Sequence, residues 1–231
     1  MTDYNKIAQF LNLNFSNQDL LKEALTHRSY LNEHQDWLFS NNERLEFLGD
    51  AVLDLVTAEY LFRQHPDLQE GDLTNIRASL VNTDSLLEVA EKLKLQNYLL
   101  VSKGEQKDLT SNRPHPLANA VEAIIGALYL DGGIEKAQSF IEKHILQKTD
   151  SILKSHSYKD PKSLFQEKSQ MVVGMTPFYK VVKEWGPDHA KQFEVELYLG
   201  EEPISRGEGF SKQGAEIAAA RQALTLKKWQ E

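Results

Sequence analysis

The chain has 231 residues, of which 41% are hydrophobic and 26% charged, a balance typical of a globular protein with one or two domains. It contains no cysteine, which excludes disulfide bonds, thiolate zinc sites and cysteine nucleophiles. The N-terminus lacks the basic and apolar regions of a signal peptide, and no segment reaches about 18 apolar residues. We therefore expect neither secretion nor a membrane span, but a cytoplasmic protein.

The formal net charge of −8 is distributed unevenly along the chain. Residues 1–157 contain 15 Lys and Arg against 23 Asp and Glu, whereas residues 158–231 contain 11 of each. Nucleic-acid-binding domains are usually basic. The charge therefore argues against such a function, unless basic groups cluster locally and metal ions offset the acidic part.

Helical periodicity dominates the first two thirds of the chain. Helices are predicted over residues 4–11, 17–25, 41–64, 73–81, 84–93, 116–131 and 134–153. Capping boxes at Ser16 and Ser40 open the second and third of these. His27 and Arg28 follow the second helix, and we interpret them as capping or core-bordering residues, with a functional role as the alternative. A turn is predicted at residues 69–72 and a polar loop at residues 102–115.

Two of the predicted helices carry oxygen donors among apolar residues. Glu46 and Asp50 lie four residues apart on one face of NERLEFLGDAVLDLVTAEY, in which apolar residues cover nearly the whole circumference. One carboxylate could be solvated and the other paired with an arginine, because a buried carboxylate requires a partner. However, Asn119 and Glu122 repeat the arrangement in LANAVEAIIGALYL. Two such pairs favour a shared metal site.

The pattern changes after Pro161. A helix is predicted over residues 162–171, strands over 176–185, 193–199 and 204–210, and a helix from its cap at Ser211 to Trp229. This order predicts an α-β-β-β-α domain in which two helices pack on one antiparallel sheet. We expect a first domain over residues 1–154, a linker over 155–161 and a second domain over 162–231.

Long sequence motifs resemble a known family. ERLEFLGD at 43–50 and LANAVEAIIGALYLDGG at 117–133 resemble the ribonuclease III catalytic domain. DPKSLFQE, GPDHAKQF and GEGFSKQGAEIAAARQAL resemble the double-stranded RNA-binding domain that follows it in bacterial ribonuclease III. With THRSY and EGDLTNIRASLVNT, the resemblance covers essentially the whole chain. It implies an all-α endonuclease domain followed by an α+β RNA-binding domain.

The resemblance also implies an activity. Family members hydrolyse a phosphodiester of double-stranded RNA with divalent metal, leaving 5′-phosphate and 3′-hydroxyl ends with two-nucleotide 3′ overhangs. They act as homodimers in the cytoplasm, and processing of ribosomal RNA precursors and other transcripts is the implied role. The open alternatives are a catalytically impaired double-stranded RNA-binding regulator and a structural subunit of a larger ribonucleoprotein.

The family motifs assign site residues in the first domain. The implied ligands of Mg²⁺, or of Mn²⁺ in its place, are Glu46, Asp50, Asn119 and Glu122. Asp50 and Glu122 are the implied catalytic carboxylates. Glu43 and Glu70 match further acidic positions, although Glu43 could equally cap its helix. Phe47 matches an aromatic residue that contacts the partner subunit, whereas an ordinary core position is the alternative.

Two positions depart from the family pattern. Bacterial members more usually carry aspartate at the position of Asn119, whose amide can ligate a metal but adds no charge. We expect a working enzyme that needs more metal, and an impaired nuclease is the alternative. In the second domain, Gln213 replaces the second of two lysines after the serine. Fewer phosphate contacts predict weaker RNA binding with a shallower dependence on salt.

Three surfaces of the second domain are implied to contact duplex RNA, which is recognised by shape across two minor grooves. The first helix offers Ser163, Gln166, Glu167 and Gln170. The loop GPDH offers His189. The last helix offers Lys212 and Gln213, together with the positive end of its dipole.

Overall fold

The computed structural model describes residues 4–11, 13–109, 115–156, 158–187 and 190–229. The chain divides into two compact units, Met1–Asp150 and Ser151–Glu231. The division falls inside helix α9 (Thr149–Ser155). The expected limits at residues 154 and 162 stay predictions.

The first unit is helical, as predicted. Its elements are α1 (Tyr4–Phe10), α2 (Gln18–Ala24), α3 (Arg28–Glu33), α4 (Glu43–Gln64), α5 (Glu70–Val81), α6 (Thr83–Lys92), α7 (Glu105–Asp108), α8 (His115–His144), α9, and 3₁₀ turns at Leu95–Asn97 and Leu146–Lys148. The backbone at Gly132 and Gly133 leaves helical values, so α8 is two segments joined by a kink at the predicted stop.

Helices α4 and α8 form the centre of this unit. They pack against each other more extensively than any other two elements. They cross where glycines remove the side chains between them: a Cβ on Gly49 would lie 1.8 Å from the carbonyl oxygen of Glu122, and one on Gly126 would lie 2.2 Å from that of Leu45. This close crossing fixes the positions from which both helices present their polar residues.

Helix α8 is also apolar enough to be tested as a membrane span. Within the part of the chain that the structure describes, α8 alone is long and apolar enough to cross a membrane. In its most apolar stretch, however, 56% of the helix is buried inside the protein. That burial, and its packing on α4, are what a core helix shows.

Two predicted helix caps were wrong. Asn17, not Ser16, caps α2 by accepting a hydrogen bond from Asp19 N, because the backbone N–H of Ser16 donates to the distant Asp131. Ser40 does not cap α4, whose first N–H donates instead to Asn41 Oδ1 at 3.2 Å. These neighbouring polar residues are all good cap formers, so local sequence does not choose between them.

Other predicted boundaries also need correction. The predicted turn at residues 69–72 is the first turn of α5, where Glu70 and Asp72 favour the positive helix end. The predicted loop at 102–115 contains the short helix α7. The single helix expected over 134–153 is instead the second segment of α8, a 3₁₀ turn and α9. His27 caps α3 by accepting a hydrogen bond from Ser29 N, as the capping interpretation expected.

The second unit has the predicted α-β-β-β-α order. Its elements are α10 (Pro161–Val173), β1 (Pro177–Trp185), β2 (Gln192–Leu199), β3 (Glu202–Gly209) and α11 (Lys212–Lys227). The strands form an antiparallel sheet in the order β1-β2-β3. Phe165 and Leu197 lie at the centre of the core between sheet and helices. Ser211 caps α11 through Gly214 N, as predicted.

Candidate functional site

An acidic group lies where α4 and α8 cross. Glu46 on α4 and Asn119 on α8 share a hydrogen bond between their side chains. Glu122, one helical turn beyond Asn119, lies close enough to Glu46 and Asp50 for their charges to act on it. The structure therefore brings together all four residues that the sequence predicted as a metal site.

The pKa values of two of these carboxyl groups are raised by burial and by the neighbouring negative charges. Burial, followed by the charges of Asp50 and Glu46, raises the pKa of Glu122 to about 7. Burial also raises the pKa of Glu46, against the opposing hydrogen bond from Asn119 and with the added repulsion of Glu43 and Asp50. Negative charge is therefore costly here without a cation.

The surroundings are less buried than the sequence predicted. Glu46, Asn119 and Glu122 are half-buried and Asp50 is exposed. Helix α4 is not enclosed on all sides, because Phe47, Leu55 and Phe62 are 81%, 60% and 74% exposed. Its apolar circumference therefore includes a face that this chain alone does not cover.

The two further acidic residues differ in their contacts. Glu43 acts electrostatically on Glu46, accepts a hydrogen bond from Asn41 Nδ2 at 3.3 Å and pairs with Arg28 at 3.4 Å. Glu70 accepts a hydrogen bond from Thr74 Oγ1 at 3.0 Å within its own helix. The described contacts thus tie Glu43, but not Glu70, to the acidic group.

The donor set suits a hard cation. Carboxylate and amide oxygens are the ligands that Mg²⁺ and similar ions prefer, often with several retained waters. Among the described residues, no three His, Asp or Glu side chains converge closely enough to enclose an ion by themselves. A cation held here would therefore need Asn119, water or substrate oxygens in addition to the carboxylates.

Sequence reasoning missed one acidic residue beside this group. Asp54 continues the four-residue spacing of Glu46 and Asp50 along α4, and its carboxylate lies 3.8 Å from the guanidinium of Arg77 on α5. The spacing was visible in the sequence, whereas the partner on α5 was not.

The second unit presents its candidate RNA contacts on the first helix and at the start of the last. Ser163, Gln166, Glu167 and Gln170 are on α10, on the side away from the buried Phe165, and all are at least partly exposed. Lys212 and Gln213 are exposed in the first turn of α11. His189 lies outside the described residues.

Local contacts orient several of these side chains. Glu167 pairs with Lys159 at 2.8 Å, and Gln170 Nε2 donates to Thr176 Oγ1 at 3.2 Å. The Lys212 ammonium lies 5.8 Å from the centre of the Phe193 ring. The long polar side chains are therefore held over the unit's surface rather than extended freely into solvent.

Comparisons with known families agree with both parts of the chain. A family model described as Ribonuclease-III-like matches residues 17–149, and one described as Double-stranded RNA binding motif matches residues 161–226. Over 228 residues the chain is 42% identical to the Ribonuclease 3 of Nitratiruptor sp., covering 99% of this chain and 98% of the relative. It is 44% identical to the Ribonuclease 3 of Borreliella burgdorferi over 220 residues, covering 95% and 89%.

Solved structures extend the comparison to three dimensions. A crystal structure of the nuclease domain of ribonuclease III from Campylobacter jejuni is similar to this chain with a TM-score of 0.56 and 42% identity, over 64% of this chain and 97% of that one. A second structure of that domain, also with a TM-score of 0.56, was described for flexibility in a region involved in dimer formation.

Proposed function

Because this chain belongs to the ribonuclease III family, and is therefore a double-strand-specific endoribonuclease, we propose that the four side chains at the α4–α8 crossing hold its divalent metal ion. These side chains are Glu46, Asp50, Asn119 and Glu122. The family depends on divalent metal, and we propose Mg²⁺ as the ion here, with Mn²⁺ able to replace it. The observation that carries the proposal is the convergence of these side chains at the crossing, where Asn119 is hydrogen-bonded to Glu46, and where burial, followed by the charges of Asp50 and Glu46, raises the pKa of Glu122 to about 7.

The side chains at this site have different proposed roles. A bound divalent ion would supply a water of lowered pKa and neutralise charge on the leaving oxygen. We assign Asp50 and Glu122 as the carboxylates nearest the reacting phosphodiester. Asn119 holds Glu46 by its hydrogen bond, and Glu43 adds negative charge at the rim. Glu70 remains a secondary candidate, whose contact within α5 gives it no direct support.

The metal assignment can be tested by cleavage of a long duplex RNA. Purified protein with Mg²⁺ should release products with 5′-phosphate ends and two-nucleotide 3′ overhangs. Chelator should stop the reaction, and added Mn²⁺ should restore it. Glu122→Gln should abolish cleavage while leaving RNA binding by the second unit intact. Unchanged cleavage by Glu122→Gln would refute the assignment. Glu88→Gln provides the control, because it removes an exposed carboxylate that pairs with Lys148 and has no described effect on the acidic group.

A regulator that binds duplex RNA without cutting it is the second candidate. The observation that favours it is Asn119, because an amide binds Mg²⁺ less strongly than a carboxylate. Glu46, Asp50 and Glu122 are all present, however, and Glu46 and Asp50 lie close enough to Glu122 for their charges to raise its pKa. Absence of cleavage at every Mg²⁺ concentration, with RNA binding retained, would favour this candidate instead.

We propose that the second unit binds duplex RNA through the exposed face of α10 and the start of α11. Ser163, Gln166, Glu167 and Gln170 offer groups that can reach 2′-hydroxyls in a minor groove. Lys212 and the N-terminus of α11 suit a phosphate. His189, in the loop that the resemblance assigns to the next minor groove, stays a prediction.

We also propose that the protein acts as a homodimer, with Phe47 as a central contact. Phe47 is 81% exposed on α4, beside an open cleft of about 570 Å³ with Leu20, Leu45 and Leu130 in its wall. A two-fold arrangement could place each Phe47 in the partner's cleft. Phe47→Ala should therefore shift the mass in sedimentation toward the monomer. Phe210→Ala, which truncates a similarly exposed ring in the other unit, should leave the mass unchanged.

The biological setting remains a proposal drawn from the family. We propose a cytoplasmic enzyme that processes ribosomal RNA precursors and other transcripts. Depleting the protein and sequencing the ends of ribosomal precursors in its own cell would test this role. Precursor ends that do not change on depletion would contradict it.

A further inference from the structure

An arginine lies at each end of the acidic face of α4. Glu43, Glu46, Asp50 and Asp54 fall on one side of this helix. Arg28 of α3 reaches the first of them, with Nη1 3.4 Å from Glu43 Oε1. Arg77 of α5 reaches the last, with Nε 3.8 Å from Asp54 Oδ1. The carboxylates at the two ends are eleven residues apart, or roughly 16 Å along the helix axis.

These two ion pairs are too loose to explain the arginines as stabilising residues. The side chains of Arg28 and Glu43 are 71% and 51% exposed, and those of Arg77 and Asp54 are 38% and 46% exposed. Exposed pairs at such distances contribute little to stability. By contrast, Arg63 forms a 2.6 Å pair with Glu59 on the same helix, in the favourable spacing of one turn.

The substrate gives the arginines a stronger partner. The first 157 residues carry 23 acidic against 15 basic side chains, so a duplex approaching α4 is repelled except where a cation is presented. Arginine binds phosphate with a planar fork of donors, more strongly than it binds a distant carboxylate. Over about 16 Å a nucleic-acid duplex presents several phosphates.

We infer that Arg28 and Arg77 bind backbone phosphates of the duplex on either side of the scissile phosphodiester. This inference rests on the proposed function, since it takes Glu46, Asp50 and Glu122 as the centre between them. Glu43 and Asp54 are the carboxylates paired loosely with the two guanidinium groups when RNA is absent, and these loose pairs give way to phosphate when it binds. Asp54 is thus a competitor of the substrate for Arg77.

The inference predicts opposite effects for the two members of one ion pair. Arg77→Gln should raise KM for duplex RNA about tenfold with kcat little changed, because one charged hydrogen bond to phosphate is lost. Asp54→Asn should lower KM, because Arg77 no longer has a competing carboxylate. A purely structural ion pair would make both changes harmful.

The experiment measures kcat and KM for a long duplex RNA with the full chain in Mg²⁺, between about 50 and 200 mM salt. Arg77→Gln should make the slope of log(kcat/KM) against log salt shallower by about 0.7 to 0.9, which is the change expected when one phosphate contact is lost. Arg28→Gln should have the same effect. Arg63→Gln, on the same helix as the acidic face, is the matched control and should leave KM and slope unchanged. Arg77→Lys should restore most of the slope, which separates lost charge from lost folding.

Equal KM and slope for Arg77→Gln and Arg63→Gln would overturn the inference, as would a raised KM for Asp54→Asn. Failure of the proposed function has a different signature, since the parent protein itself would then show no metal-dependent cleavage at any salt concentration.

Discussion

Because α4 and α8 cross so closely, we expect one added methyl group at Gly49 to have a large effect on stability and activity. Gly49→Ala should gain about 1 kcal/mol in helix propensity, because glycine is a poor helix former. The added Cβ would nevertheless lie 1.8 Å from Glu122 O and 2.9 Å from Gly126 N, against an ordinary contact of at least 3.4 Å. The helices must therefore separate by about 1.6 Å at this point.

Separation on this scale should affect both stability and catalysis. Overpacking of a well-packed core costs about 1–3 kcal/mol, and the crossing also loses packing contacts on both sides of the new methyl group. We expect Gly49→Ala to lower the free energy of unfolding by up to about 2 kcal/mol net, after the gain of about 1 kcal/mol in helix propensity is subtracted. Displacement of Glu122 by more than about 1 Å from Glu46 and Asp50 should reduce kcat about 10²-fold.

Urea denaturation and duplex cleavage measure these two effects. Gly71→Ala is the matched control, because Gly71 lies in the first turn of α5 and a Cβ added there would have no neighbouring atom within 4 Å. It should gain up to about 1 kcal/mol in stability. If Gly49→Ala unfolds at the same urea concentration as Gly71→Ala and cleaves RNA at the parent rate, the close crossing does not position the site.

Three further predictions concern the charged groups. The folded-state pKa of Glu122, about 7, lies above its unfolded value of 4.5, so its contribution to stability is full below pH 4.5 and is lost as the pH rises through 7. Discounted for exposure to water, the loss in the free energy of unfolding is about 2 kcal/mol. At pH 8 in chelator, Glu122→Gln should therefore be more stable than the parent by that amount. At acidic pH the two proteins should be equally stable. Asn119→Asp should lower the Mg²⁺ concentration for half-maximal cleavage, and an unchanged titration would contradict the ligand role. Gln213→Lys should steepen the salt dependence of RNA binding by about 0.7 to 0.9, whereas an unchanged slope would remove Gln213 from the phosphate surface.

The sequence was sufficient where local chemistry determines structure. Ser211 caps α11 as predicted, because its hydroxyl has a free N–H within three residues and no stronger cap beside it. Along β2 the sequence predicts an alternation of Phe193, Val195, Leu197 and Leu199, of which the last three are buried and Phe193 is half-buried. The fold class and the family followed from such signals and from the length of the motifs.

The sequence was insufficient where distant residues determine structure. The cap of α2 shifts to Asn17 because the Asp131 carboxylate accepts hydrogen bonds from the N–H groups of Ser16 and Asn17, more than 110 positions away. Periodicity could not distinguish apolar residues of α4 that face the core from Phe47 and Leu55, which remain exposed. Periodicity also places Arg77 on a helix, but only the packing of α5 brings it to Asp54.

The central claim is that the oxygens at the α4–α8 crossing bind a divalent cation. Anomalous diffraction from crystals of the full chain soaked in Mn²⁺ tests it directly. An anomalous peak should lie within about 2.3 Å of oxygens from Asp50 and Glu122, with Glu46 and Asn119 bound directly or through water. The peak should disappear in Glu122→Gln crystals soaked in the same way. A peak at another acidic surface, or none at the crossing in the parent protein, would contradict the account.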